Sequence, residues 1–206
     1  MNRVKTDRRT QRTRQALMMA FVGEVLTRGY EDVSVEDIVK RANIGRSTFY
    51  MHYKSKEELL RESISRPSSI LSVIVGGDVS VEMLVPQLIH FHEQRQRNGT
   101  FFRDPVRKIW VKRLGEMIEP RLTKIARQTH AQPALPLAFI AVQLAEAQIA
   151  LVTNWLTDKP TLKPEAVAAA MIAATQGAVR AMLGLRADAP ILIPGEKIKL
   201  VRTDQK

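Results

Sequence analysis

The stretch SVEDIVKRANIGRSTFYMHYKSKEELL, residues 34–60, decides how this 206-residue chain is read. Ser34 is a good N-cap, and Asp37 stands three residues on, the spacing of a capping box at a helix start. Val35, Ile38, Val39 and Ala42 give that short helix one apolar face. Asn43-Ile44-Gly45 then breaks it, because Asn and Gly both tolerate turn backbone. A second short helix is expected from Arg46 to His52, and Ser55-Lys56-Glu57-Glu58 caps a third near Leu59-Leu60. Ile38, Ala42, Ile44 and Phe49 are spaced to pack against one another and fix the angle between the first two helices.

Two short helices locked around a tight turn are the helix-turn-helix plan, in which the second helix enters the major groove. The exposed residues of that helix suit the task. Arg46 can bond bidentately to guanine, Ser47 and Thr48 can bond bases or phosphates, and the Thr48 methyl can touch a thymine methyl. Tyr50 and His52 offer polar tips to phosphate oxygens. Lys56, in the first turn of the next helix, puts an ammonium beside a helix N-terminus, so that both favour one phosphate.

Working outward, a first helix is expected from about Asp7 to Arg28, with Leu17, Ala20, Phe21 and Val25 inward and Gly29 as a left-handed cap. Arg66-Pro67-Ser68-Ser69 reads as a break or kink and Gly76-Gly77-Asp78 as a firmer break. Further helices are expected at 80–97, 105–116 and 118–130, with Asp104 as N-cap and Pro105 at the first helical position. A loop at 132–136 leads to two long Ala-rich helices, 137–157 and 164–184, apolar on most sides and in need of a partner surface. The fold class is therefore all-α, with no alternating strand of useful length. The domains read as an N-terminal DNA-binding module at 8–66 (helix-turn-helix 34–53), a larger helical domain at 67–186, and an extended or disordered tail at 187–206.

Composition narrows the function classes. The formal net charge of +11 favours a polyanionic partner. The basic start carries Arg8, Arg9 and Arg12, read as an arm adding phosphate or minor-groove contacts; it lacks the apolar anchors of a membrane-surface segment. The chain has no cysteine, which excludes disulfides, thiolate zinc sites and cysteine nucleophiles and suits a reducing cytoplasm. No apolar run approaches the roughly 18–20 residues of a membrane span, and no apolar segment with a cleavage site follows the basic start, so neither membrane nor signal peptide is expected. His90 and His92 fall on different sides of a helix, so no metal is expected, and no cofactor motif or catalytic constellation is visible.

The run from Thr48 to Leu59, with Tyr50, His52 two residues on and Lys56 four further, resembles the signature of TetR-family regulators. Gly29-Tyr30, Ser34-Val35, Ile38 and Ala42 fall at that family's positions, and the resemblance covers about residues 8–62. Asn43 and Tyr53 depart mildly, where the family often has Gly and Phe. The resemblance implies a cytoplasmic, nucleoid-associated homodimeric repressor that binds a palindromic double-stranded operator and answers to a small-molecule effector. The alternative is the same fold acting on DNA without an effector. It implies base or backbone contacts for Arg46, Ser47, Thr48, Met51, Ser34 and Val35, and phosphate contacts for Tyr50, His52 and Lys56. It further implies dimerisation through helices 137–157 and 164–184. An effector pocket would be lined by Met83, Leu84, Leu88, Phe91, Phe102, Ile109, Trp110 and Met117.

Overall fold

The capping chemistry at residues 34–37 appears in the computed structural model as read. Ser34 Oγ accepts from the Asp37 N–H at 3.2 Å, and the Asp37 carboxylate accepts from the Ser34 N–H at 2.9 Å. Helix α2 (Val35–Ala42) starts there and ends at Asn43, which takes the left-handed conformation at φ 53°. Helix α3 (Arg46–His52) follows, then α4 (Lys56–Ser63), whose N-cap Ser55 accepts from the Glu58 N–H. Helix α1 (Asn2–Arg28) precedes them. It places Leu17, Phe21 and Val25 against Ile38, Phe49, Leu59 and Leu60 in one core, each of them fully buried.

The structure describes residues 2–77, 79–93, 102–158, 161–186 and 191, with only the backbone described over 2–7. After α4 come α5 (Ser65–Ser72), a 3-10 turn (Val73–Val75), α6 (Val81–Glu93), α7 (Val106–Thr129), α8 (Leu137–Asp158) and α9 (Pro164–Leu183). No strand occurs among the described residues. Helix α7 lies along α8, α9 packs on α6 and α8, and α5 packs on α7. The burial is continuous from Leu17 to Leu183.

Five readings need correction. The first helix starts earlier than about Asp7: α1 already runs from Asn2, and Arg8, Arg9 and Arg12 are exposed on it. Residues 66–69 do not interrupt a helix. The chain breaks two residues earlier, at Ile64, and Pro67 lies in the first turn of α5, where its missing N–H deprives no carbonyl. The two helices expected at 105–116 and 118–130 are one, since α7 continues through Pro120. Gly115 supports that continuity: a Cβ there would meet Val142 Cγ2 of α8 at 3.4 Å, so the two helices pack closely at this point. Asp104 is not the N-cap of α7; Pro105 holds that position without a side-chain hydrogen bond, and Asp104 pairs with Lys108 at 3.0 Å. Finally, α8 and α9 are long and apolar enough to cross a membrane by length and composition, each with mean hydropathy 1.4. Scattered Gln and Glu residues break the apolar run of each helix without lowering its mean hydropathy much.

Of the tail, Ile191 alone is described, and it is neither extended into solvent nor free. It is buried, and its carbonyl accepts a hydrogen bond from the Gly77 N–H. A side chain at Gly77 would run into that carbonyl oxygen. Gln176 of α9 adds a hydrogen bond to the Gly76 carbonyl at 3.0 Å, so the break at Gly76-Gly77 is held from two sides. The rest of 187–206 lies outside the described residues, as does the segment 94–97 expected to end the helix begun at 80.

Candidate nucleic-acid interface

Helix α3 is short, and its orientation is set by Phe49. That ring is fully buried, in edge contact with Tyr50 at 5.3 Å and tilted against Tyr53 at 5.9 Å. With Phe49 inward, the rest of the helix is presented outward. Arg46 and Ser47 are exposed, Tyr50 is 49% and Met51 74% exposed, and Thr48 and His52 are half-buried. Tyr50 and Met51 thus stand side by side as exposed large side chains on the outward face of α3.

Arg46 opens α3. Its guanidinium lies 3.9 Å from the Glu36 carboxylate on α2 and 5.9 Å from the centroid of the Tyr50 ring. The pair is exposed and weak, so it holds the arginine near the helix face without neutralising it. Ser34 is exposed but its hydroxyl is committed to the cap, donating to Asp37 at 2.5 Å; Val35 is half-buried beside it. The Asp37 carboxyl is held well below the ordinary aspartate range, first by the Ser34 hydroxyl and then by Arg28 at 2.8 Å.

Lys56 departs from its expected place. Its ammonium is not presented to a phosphate: it donates to the carbonyls of Tyr30 at 2.9 Å, Val33 at 2.8 Å and Glu31 at 3.3 Å. It also lies 4.5 Å from the centroid of the Tyr30 ring. An ammonium has three donors, and here all three have acceptors.

Sequence reading missed the ion pairs that join the helices. Glu24 of α1 receives Arg41 of α2 at 3.1 Å and Arg28 at 3.4 Å, while Arg28 also reaches Asp37. Arg41 lies across Gly23, where a Cβ would meet the guanidinium at 2.7–3.0 Å. Arg14 of α1 pairs with Glu62 of α4 and stacks 5.1 Å from the Tyr53 ring centroid. Burial, and then Glu62, pushes the Tyr53 phenol up to about 12. Arg61 of α4 reaches Glu116 of α7 at 3.9 Å, and Arg113 reaches the same carboxylate at 3.4 Å. Glu24–Arg28 and Arg113–Glu116 have ordinary helical spacing, but the pairs that link different helices lie far apart in sequence, and no local spacing signals them.

Of the expected pocket residues, Leu84, Leu88, Phe91, Phe102 and Trp110 are buried, while Met83, Ile109 and Met117 are half-buried. Phe91, Phe102 and Trp110 form one aromatic cluster with centroids 5.1–5.8 Å apart. A separate open cleft of about 370 Å³ lies between residues 26–32 and 103–106 and includes none of the eight. Among the described residues no group of three His, Cys, Asp or Glu could hold a metal ion.

Residues 24–63, which span the helix-turn-helix and its flanks, match the model of the bacterial regulatory proteins of the tetR family. That segment is a TetR-type helix-turn-helix. The chain is 46% identical over 61 residues to YxbF, an uncharacterized HTH-type transcriptional regulator of Bacillus subtilis; the match covers 29% of this chain and 16% of that protein. It is 36% identical over 53 residues to another from the same organism, YdgC, covering 26% of this chain and 27% of that protein. The chain thus spans well under two thirds of the length of these curated relatives. Among solved structures, a TetR transcriptional regulator from Streptococcus agalactiae is 28% identical, with TM-score 0.56, over 84% of this chain and 98% of that one. The Thermus thermophilus repressor FadR, solved with lauroyl-CoA, shares the fold at TM-score 0.52 and 21% identity, over 86% of this chain and 98% of that one. The TetR likeness in sequence is thus concentrated in the segment that carries the end of α1 and all of α2, α3 and α4, and the likeness in fold extends over the helices behind.

Proposed function

We propose that this chain is a TetR-family DNA-binding transcriptional regulator, acting as a homodimeric repressor on a palindromic operator under the control of a small-molecule effector. The observation that carries the reading is the outward face of α3, where Arg46, Ser47, Tyr50 and Met51 stand clear of a ring buried behind them. Arg46, Ser47, Thr48 and Met51 are assigned to bases or nearby backbone, Tyr50 and His52 to phosphates, and Val35 with the Ser34 region to the backbone beside them. Arg8, Arg9 and Arg12 line the exposed side of α1 and are assigned to further phosphates. Residues 8–66 are taken as the DNA-binding unit and 67–186 as the effector and dimer unit. The protein would work in the cytoplasm, at the nucleoid.

Dimerisation through α8 and α9 is supported by what they leave uncovered. Phe139 is 51% and Val142 40% exposed on α8, and α9 leaves Ala169, Ala173 and Gly177 exposed. Small residues allow close helix approach, so a second copy can bury this surface. Two copies would set their α3 helices about 34–36 Å apart, one DNA turn. An effector pocket is supported by Trp110, whose indole N–H is buried without a hydrogen-bond partner against Phe91 and Phe102. An apolar ligand carrying one acceptor would satisfy it. Such a ligand regulates only if it binds better to the conformation with wrongly spaced heads.

The test is selection from random duplexes at several salt concentrations, comparing the wild type with the Arg46→Ala, Tyr50→Ala double variant. Enrichment of a palindrome by the wild type and its loss in the variant is the expected result. Weak, salt-sensitive binding shared by both, with no enriched sequence, would refute the reading.

A further inference from the structure

The residue in the TetR-like run that does something other than face outward is Lys56. A lysine in the first turn of a helix is poorly placed for the helix dipole, which favours anions there. What stabilises it lies 23–26 residues back in sequence: the carbonyls of Tyr30, Glu31 and Val33, with the Tyr30 ring alongside. These three carbonyls belong to the connection between α1 and α2. That connection ends in Ser34, the cap that starts α2. Tyr30 and Val33 are themselves buried in the head core.

We infer that Lys56 is a positioning residue: its ammonium buckles the α1–α2 connection onto the start of α4 and so fixes α2 and α3, rather than holding a phosphate. The chemistry is specific to an ammonium. Three N–H donors diverge from one nitrogen and meet three carbonyls converging on it; a guanidinium carries its donors in a plane and cannot reproduce that geometry. A phosphate contact has the opposite preference, since arginine serves it at least as well as lysine. The two roles are therefore separable by Lys56→Arg and Lys56→Met.

Hydrogen exchange without DNA is the first measurement, and it stands independently of the DNA-binding reading. Removal of the buckle in either variant should speed amide exchange over residues 30–42 by about tenfold, with α8 and α9 unchanged. The second measurement uses the selected operator. Both variants should bind more weakly at all salt concentrations, with Lys56→Arg failing to rescue and the slope of log K against log salt preserved. The inference is overturned if exchange is unchanged, if Lys56→Arg restores binding, or if Lys56→Met lowers the slope by about 0.9, the signature of one lost phosphate contact. Should both variants fail to fold, the wild-type ammonium remains observable by nitrogen-detected NMR. Slowly exchanging Lys56 ammonium protons support the buckle, and rapid exchange like that of an exposed lysine refutes it. If the wild type selects no operator while exchange responds as expected, the DNA-binding reading fails and the buckle stands.

Discussion

At the scale of single residues, Phe49 decides which side of α3 is available, and Arg46 has the strongest claim to read a base. Arg46→Ala is expected to cost about 1–3 kcal/mol of operator binding and to relax preference at one base pair per half-site. Equal weakening on all sequences in a competition assay would assign it to phosphate instead. Tyr53 gives a pH-dependent prediction. Its phenol is buried without a hydrogen-bond partner, and its pKa is raised to about 12 from an ordinary 10.0. A raised acid favours folding below the unfolded value, and the advantage is lost as pH rises from 10 toward 12. Tyr53→Phe should therefore unfold within about 1 kcal/mol of wild type at neutral pH, since no donor is stranded. It should also resist alkaline unfolding better, as read by circular dichroism along a pH series. The outward face of α3 was legible in the sequence because exposure at positions 46, 47, 50 and 51 follows from one buried aromatic at 49. The role of Lys56 was not legible, because its partners are backbone carbonyls that only the fold brings near.

At the scale of elements, short helices depend on their ends. Helix α2 has eight residues and a complete capping box. Ser34→Ala should destabilise the protein by about 0.5–2 kcal/mol in urea titration. Asp37 has a depressed pKa, so its contribution is present above the ordinary value of 3.8 and is lost as pH falls below it. The difference in stability between wild type and Asp37→Asn should accordingly shrink on acidification below that value; a gap that is flat with pH would show that the carboxylate charge has no part. Caps of this kind are written in neighbouring residues, which is why the boundaries of α2, α3 and α4 could be read directly. The continuity of α7 could not. Pro120 and Gly115 are local breaking signals, and they are overridden by the packing of α7 along α8. The early break at Ile64 is the same lesson reversed, since Pro67 marks a helix start there.

At the scale of the whole molecule, the last two helices carry more apolar surface than one chain covers. Placing a charge there tests the proposed assembly. Ala173→Glu should halve the mass seen by sedimentation, because two copies would bring like charges together in a buried face. It should also weaken operator binding by about 100-fold or more as the two half-sites cease to be held jointly. A dimer that survives the change would move the interface elsewhere. The overall all-helical plan was legible from periodicity, whereas the joints between its parts were not. Glu24 with Arg41, Arg14 with Glu62, and Arg61 with Glu116 each connect helices that nothing in the intervening sequence pairs.

The unbroken α7 has a geometric consequence of its own. A helix of 24 residues is a rod about 36 Å long. Near its start it borders the cleft beside the α1–α2 connection, and at Glu116 it meets Arg61 of α4. Had the chain broken near residue 117, a disturbance in one half would have been absorbed at the joint. As a single rod, a tilt of about 10° about one end carries the other through about 6 Å, roughly one helical pitch. Gly115 and Pro120 are therefore places where a stiffness could be tuned by substitution without touching either a base or a bound molecule.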